Sequence, residues 1–254
     1  MTESRDDRAA RSAAAARKGA NAELPRRFYK QAEVGEQPGS FAVLLDGKSV
    51  RTPGRKRLVV SKRTIAEVIA AEWAAQAGTI NPATMPMTRL VNSAIDGVEG
   101  AEASVAADIA RYAGSDLICY RAGFPDRLVA LQAEHWDPVL LWAQSERGWS
   151  FAKAVGVVHV AQPPETLRGI AGALSKYNAL ALAGLHSMTT LMGSVLLALA
   201  VAERQINAAA AWSAAHVDED FQIGQWGEDA EARARREFRW RDMQAAAMLA
   251  IADR

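Results

Sequence analysis

The pattern of hydrophobic and polar residues changes about a quarter of the way along the chain. Between residues 27 and 60, short apolar runs alternate with turn residues, which is typical of strands. We predict four strands, at residues 28–30, 41–45, 49–52 and 58–60. Asp46-Gly47 favours a type I′ hairpin turn between two of them, since both central residues of that turn have positive φ. A sheet this small must pack against another element to be stable.

From residue 61 onward, apolar residues recur at the spacing of a helix. Ile65, Ile69 and Trp73 predict the first helix, with Ser61 as its N-cap and Gly78 at its end. After a proline-containing loop at residues 81–86, the rest of the chain is mainly helical in pattern. The order of elements predicts an α+β protein, in which a small antiparallel β-containing N-terminal domain precedes a larger all-α C-terminal domain. We expect a tail at residues 1–24 and domains at residues 25–86 and 87–254.

Three segments of the helical region carry finer predictions. Asp137-Pro138 predicts that the stretch 126–148 is broken into two helices, because proline lacks a backbone N–H. Residues 155–160 form a short β-like run, compatible with a return to the first sheet. Residues 179–202 carry no charge and have the length of a membrane span. The polar residues in their middle favour two buried helices that meet near residues 185–187, so we expect no membrane insertion.

Composition excludes several kinds of protein. The 254 residues are half hydrophobic, and 30 basic and 29 acidic residues leave a net charge of +1, which provides no overall attraction for nucleic acid. Cys119 is the single cysteine, so no intramolecular disulfide forms, and its apolar neighbours predict a buried thiol. Residues 1–22 mix acids and bases without an apolar core, unlike a signal or transit peptide. We expect a cytoplasmic protein.

No motif predicts catalysis. Residues 45–49 imitate the end of a phosphate-binding loop, but Ala42 stands where that loop needs glycine, and a strand follows. The four histidines are dispersed without metal-ligand spacing, and His186 is interpreted as a hydrogen-bonded core residue. We therefore predict no metal, no cofactor and no enzyme. The alternative is an uncharacterised hydrolase, which requires a cleft that joins His135, Asp137 and Ser150.

Charges are segregated near the C-terminus. Residues 205–232 contain six acidic residues and no Lys or Arg, and five arginines follow at residues 233–241, interleaved with Phe238 and Trp240. One interpretation is internal pairing of the acidic segment with the basic helix. The other is a docking surface for a protein, because Arg and Trp are favoured interface residues. Nucleic-acid binding is disfavoured, since the adjacent acids repel phosphate. Among the seven tryptophans, Trp226 is expected to be partly exposed and most others buried.

A set of short motifs in fixed order resembles a known family. The motifs are Leu45-Asp46-Gly47-Lys48 with Thr52-Pro53, Glu72-Trp73-Ala74-Ala75-Gln76, Ile80-Asn81-Pro82 with Met85-Pro86-Met87-Thr88, Asn92 to Asp96, Gln132 with Trp136-Asp137-Pro138, Gly193-Ser194, and Asp218-Glu219 with Gln222 and Trp226-Gly227. Together they resemble the mitochondrial and alphaproteobacterial assembly chaperones for the alpha subunit of the F1 sector of ATP synthase. The resemblance spans residues 27–231.

The resemblance implies a function without catalysis or cofactor. A member of this family binds the free F1 alpha subunit and prevents its aggregation during F1 assembly, and we expect the free protein to be monomeric. The residues expected to contact the partner are Asp218, Glu219, Gln222, Trp226 and Glu228. The motif residues expected to be structural are Trp73, Gln76, Asp96, Trp136 and Pro138.

Overall fold

The computed structural model describes residues 24–252, so almost all of the expected tail, residues 1–24, lies outside the described residues. The fold is α+β, with a small antiparallel sheet near the N-terminus and a helical C-terminal region, as predicted. The strands of the first sheet are β1 (Ala32–Gln37), β2 (Ser40–Leu45), β3 (Lys48–Ser49) and β4 (Val59–Val60).

Strand β2 is the centre of the first sheet. It pairs antiparallel with β1 on one side, where Ala32 is opposite Leu45, and with β3 and β4 on the other. Asp46 and Gly47 both have positive φ, which confirms the predicted type I′ turn. The strand predicted at residues 28–30 is wrong. Tyr29 is instead buried against Trp73, and the Lys30 N–H donates to the Asp46 carboxylate, so this segment joins the sheet to the first helix.

Helix α1 (Arg63–Ala74) covers the sheet with its buried Ile65 and Ile69. The predicted boundaries of this helix are wrong at both ends. The cap position is Lys62 rather than Ser61, and the helix ends four residues before Gly78. Its end is fixed by the Arg27 side chain, which donates to the carbonyls of Ala74 and Gln76 and so binds backbone oxygens that a longer helix would use.

The remaining helices form the larger part of the molecule. Their bounds are α2 (Pro86–Ser93), α3 (Glu102–Arg111), α4 (Asp126–Arg147), α5 (Pro164–Leu174), α6 (Ala179–Met192), α7 (Val195–Ala202), α8 (Ala208–Ala215), α9 (Val217–Trp226) and α10 (Ala230–Ala252). A π-helical turn at Ala94–Val98 continues α2, and 3-10 turns occupy Pro82–Thr84, Tyr112–Ser115 and Leu117–Cys119. Every residue of α7 is buried, so this helix lies at the centre of the helical core.

Helix α4 runs through Pro138 without a break, so the predicted division into two helices is wrong. Trp136 and Val139 on either side of the proline are buried in the same core, and the Trp136 Nε1–H donates to the Ala214 carbonyl at 2.6 Å. Pro138 itself is exposed. The packing of both halves of the helix against one core outweighs the loss of one backbone hydrogen bond.

The β-like run at residues 155–160 does not return to the first sheet, so that prediction is also wrong. Its start forms strand β6 (Ala154–Val155), which pairs in parallel with β5 (Tyr120–Arg121) in a separate two-stranded sheet. The Gly156 N–H donates to the Arg121 carbonyl, which completes the pairing at this position. Val157 and Val158, which follow the strand, are exposed.

The uncharged segment 179–202 is divided at a different place from the one predicted. Helix α6 continues through residues 185–187 and ends at Gly193, whose φ of 68° gives a left-handed cap. Ser194 then caps α7 by accepting a hydrogen bond from the Leu197 N–H. His186 is exposed rather than part of the core, so its interpretation was wrong. No helix within residues 24–252 has the length and apolar character needed to cross a membrane.

The two parts of the molecule share packing residues. The first core contains residues of the sheet and α1, and also Met87, Val91 and Ile95 beyond the expected boundary. Helix α10 contributes Ala245 and Leu249 to it from the far end of the chain. The division at residue 86 therefore stays a prediction. Cys119 is buried, as predicted.

Candidate protein-binding surface

Helix α9 carries four of the five predicted contact residues on one face. Asp218, Glu219, Gln222 and Trp226 follow the spacing i, i+1, i+4 and i+8, which places them along one side of a helix, and all four are exposed. The opposite side packs towards α4 through the buried Val217. Acidic residues in the first turn are favourable there, because the N-terminus of a helix has a partial positive charge.

The basic group nearest to Glu219, His216, does little to neutralise the charge of its carboxylate. The Glu219 carboxylate lies 3.9 Å from His216 Nε2. Burial lowers the pKa of His216, so the imidazole is neutral at pH 7. The His216 Nδ1–H donates to the Trp212 carbonyl at 2.7 Å, so in the neutral ring Nε2 carries no proton. Glu219 thus presents a negative charge to solvent.

Asp218 is tied to the rest of the fold through Gln132. The Gln132 amide donates to the Asp218 carboxylate at 2.6 Å, and its carbonyl oxygen accepts a hydrogen bond from the Ala122 N–H at 2.8 Å. Gln132 is buried, so these bonds fix the start of α9 to α4 and to the loop after β5. Asp218 is therefore exposed and also holds α9 in place through its hydrogen bond with Gln132.

Trp226 ends α9 with most of its side chain in solvent. Its exposed fraction is 88%, which confirms the expected exposure of this residue. Gly227 follows with φ 85° and ψ 170°, a conformation that is essentially restricted to glycine. The chain therefore turns away directly after Trp226, which leaves the indole uncovered at the end of the helix. A large exposed aromatic side chain is a common anchor at protein interfaces.

Part of the acidic segment is neutralised within the molecule. Asp220 pairs with Arg236 of α10, and Glu228 pairs with Arg233 at 2.6 Å. Glu231 pairs with Arg235 one helical turn further along. Internal pairing thus applies to Asp220, Glu228 and Glu231. Glu219 forms no ion pair with Lys or Arg among the described residues, although its charge attracts Arg236. Glu228, the fifth predicted contact residue, lies beyond α9 and outside the face that the other four form.

A second exposed patch was not predicted from the sequence. It consists of Phe124, Val155, Val157 and Val158, which we call the Phe124 patch, and all four are more than two-thirds exposed. The Val155 side chain lies against Gly123, beside Phe124. The patch is next to Ala122, which Gln132 connects to Asp218. The apolar run at residues 155–160 indicated a strand in a sheet. Its apolar content did not predict that Val155, Val157 and Val158 are exposed.

The predicted structural residues lie in different environments. The buried Gln76 donates to Thr84 and accepts from the Asn81 N–H, while Asp96 accepts from the Thr52 hydroxyl and the Gly54 N–H. Trp136 is fully buried, Trp73 is partly buried against Tyr29, and Pro138 is exposed. Their assigned roles stay predictions.

The three groups required by the hydrolase alternative point in different directions. His135 and Asp137 are two residues apart on α4, so their side chains leave the helix on different sides. His135 lines a cavity of about 170 Å³ beside α9, whereas Asp137 pairs with Arg121 and Lys153. Ser150 is exposed beyond the helix. Within residues 24–252, no three His, Cys, Asp or Glu side chains form a group that could hold a metal.

Comparison with known proteins identifies a family of chaperones. The family model described as ATP12 chaperone protein matches residues 26–144. The crystal structure of Atp12 from Paracoccus denitrificans is 37% identical, with a TM-score of 0.83 over 91% of this chain and 99% of that chain. A protein of Agrobacterium tumefaciens is 47% identical, with a TM-score of 0.85 over 91% of this chain and 86% of that chain.

A more distant relative is the mitochondrial protein atp12 of Schizosaccharomyces pombe. It is 25% identical over 214 residues, which are 80% of this chain and 74% of the relative. An aspartate-to-lysine variant of the Paracoccus protein has the same TM-score of 0.83 to this chain as its parent. The class of protein defined by the fold is thus a chaperone. The chain belongs to the ATP12 chaperone family.

Proposed function

We propose that this chain binds the free alpha subunit of the F1 sector and keeps it from aggregating until F1 assembles. Membership of the ATP12 family makes the chain an assembly chaperone of ATP synthase. The choice of the alpha subunit, a monomeric free state, the absence of catalysis and a cytoplasmic location are parts of the proposal. The observation that carries it is the exposed face of α9, where Glu219 and Trp226 lie together.

An isolated ring subunit lacks the neighbours that cover its interfaces in the assembly. A subunit that is meant for a ring has large apolar and charged surfaces that its neighbours later cover, and exposed apolar surface leads to aggregation. A chaperone must cover that surface and then release it, so the complex must not be too stable. One aromatic anchor beside a free carboxylate suits this need, because the aromatic contributes affinity while the charge selects the partner.

The Phe124 patch extends the proposed surface. It provides apolar area without charge, next to the loop that Gln132 connects to α9. A stable protein interface buries about 800 Å² on each partner. A single helix face is small for such an interface, and the patch is the adjacent apolar area that enlarges it. The proposed surface therefore consists of the α9 face and the Phe124 patch.

The proposal is tested by complex formation between purified proteins. We would mix this chain with isolated F1 alpha subunit and, separately, with isolated beta subunit, and measure mass by size-exclusion chromatography with light scattering. A complex with alpha and none with beta is the expected result. Replacement of Val157 by Ser should weaken the complex, while the matched change of the exposed Leu141 on α4 should not. The absence of any complex with alpha would contradict the proposal.

A further inference from the structure

A cleft in the N-terminal part of the molecule shares no lining residue with the proposed surface on α9. Its volume is about 400 Å³, and it lies between the β2–β3 turn, strand β3 and the end of α1. Tyr29, Leu45, Val50 and Trp73 form apolar walls, and Phe28 lies at its edge with 74% of its side chain exposed. The motif residues Asp46, Gly47 and Lys48 belong to this turn, and the surface on α9 gives them no role.

The cleft is surrounded by uncompensated positive charge. Residues 47–66 contain seven basic and no acidic residues. Lys56 and Arg63 have carboxylate partners, whereas the other five have none among residues 24–252; these five are Lys48, Arg51, Arg55, Arg57 and Lys62. Lys48 and Arg51 line the cleft.

The one acidic residue of the cleft, Asp46, offsets only part of this charge. The Asp46 carboxylate accepts hydrogen bonds from the backbone N–H groups of Lys30 and Gln31, at 2.9 to 3.1 Å. The carboxylate is therefore directed at the backbone, and neither Lys48 nor Arg51 forms an ion pair with it among the described residues. A ligand in the cleft meets two cations without a carboxylate partner, of which Arg51 donates through Nη1 to the Arg55 carbonyl and keeps its other N–H groups for an anion.

Two polar atoms of the cleft residues also lack partners. Trp73 Nε1 and Ser49 Oγ are buried and make no hydrogen bond in the structure. Buried polar groups are nearly always paired, so an unpaired one often marks the place of an absent ligand or water. The indole N–H can only donate, and a hydroxyl can donate as well. Both atoms are closed off from solvent, so the groups that a ligand in the cleft meets first are the Lys48 and Arg51 cations, and the ligand they fit carries negative charge.

We propose that this cleft binds an acidic segment of a partner polypeptide, with an Asp or Glu carboxylate against Lys48 and Arg51 and an adjacent apolar side chain against Phe28. The apolar walls and the limited volume favour one or two side chains over a nucleic acid, whose phosphates need an extended cationic track. This inference goes beyond the proposed function, because the cleft is a second surface. Its binding of an acidic segment does not require that the segment belong to the alpha subunit.

The test uses a defined probe and the full-length protein. A fluorescein-labelled peptide in which Glu and Asp flank a Leu-Phe pair is titrated with the protein, and binding is followed by fluorescence anisotropy. Its counterpart with Gln and Asn in place of the acids is the charge control, and a short oligothymidylate is the competing polyanion. Since no alpha subunit is present, failure of this test leaves the proposed function untouched.

Two pairs of variants separate the contributions of charge and apolar contact. Arg51→Glu is compared with Arg168→Glu, an exposed arginine on α5, and Phe28→Ser with Leu141→Ser. We expect Arg51→Glu and Phe28→Ser each to weaken peptide binding about ten-fold or more, with both controls unchanged. Equal binding of the uncharged peptide, equal losses in the control variants, or tighter binding of the oligonucleotide would each overturn the proposal.

Discussion

Reversal of the charge at Glu219 is the sharpest perturbation of the proposed surface. The Glu219 side chain is about half exposed, and its nearest basic group is the neutral His216. Glu219→Lys therefore breaks no ion pair at pH 7. Its stability cost comes from placing a cation in the first turn of α9, about 1 kcal/mol for a change of two charge units near a helix N-terminus, and from the lost attraction between Glu219 and Arg236. For a protein of this size, that corresponds to a fall of about 2–4 °C in Tm.

The expected effect on the partner is much larger than the effect on stability. If Glu219 faces a cation in the complex, its reversal replaces attraction by repulsion, and affinity for the alpha subunit falls about ten-fold to a hundred-fold. Isothermal titration calorimetry measures the affinity, and differential scanning calorimetry measures Tm. The matched control is Glu165→Lys, because Glu165 is also an exposed acid in the first turn of a helix, α5.

Two results would refute this reasoning. If Glu219→Lys and Glu165→Lys weaken the complex equally, the effect arises from net charge and not from the α9 face. If Glu219→Lys unfolds the protein, the residue supports the fold and the exposed carboxylate is not a free contact. Glu228→Lys is a poorer test, because it also removes the ion pair with Arg233.

Three further predictions concern anchoring, packing and protonation. Trp226→Ala should weaken the alpha-subunit complex about ten-fold while the free energy of unfolding, measured in urea, changes by less than about 0.5 kcal/mol, since the side chain is exposed. Gly184→Ala should destabilise the protein by about 1–3 kcal/mol in the same assay, because its Cβ would lie 2.6 Å from the Ala246 carbonyl oxygen; Gly172→Ala, with open space around it, should not. Burial raises the pKa of the Asp116 carboxyl to about 6, so the folded protein holds a proton that the unfolded chain releases. The stability advantage over Asp116→Asn should then shrink by about 3 kcal/mol as pH rises from about 4 to 7, and an advantage that grows with pH would contradict it.

Local patterns predict the elements that are stabilised by their own residues. Strands β2 and β4 are apolar, and the Asp46-Gly47 turn needs only local geometry, so all three could be predicted. Strand β1 could not, because Glu33 and Glu36 make it polar and its pairing with β2 decides its structure. The helix break predicted at Pro138 was wrong for a related reason. The local preference of proline for a break is overcome by the packing of Trp136 in the core.

The candidate surface likewise has features that the sequence predicts and features that depend on the fold. The helical spacing of Asp218, Gln222 and Trp226 is visible in the sequence, and motif resemblance identifies these residues. The exposure of Val157 is not visible there, since it depends on which elements cover residues 155–158 in the fold. The pairing of Asp220 with Arg236 likewise requires the turn at Gly227, which brings α10 back beside the acidic segment.

The most direct test of the central claim is a refolding assay of isolated F1 alpha subunit. Denatured alpha subunit is diluted into buffer with or without this protein, light scattering follows aggregation, and size-exclusion chromatography then examines the mixture. Suppressed scattering and a co-eluting complex are expected for the alpha subunit, with no protection of an unrelated aggregating protein. Unchanged scattering and no complex with the alpha subunit would contradict it.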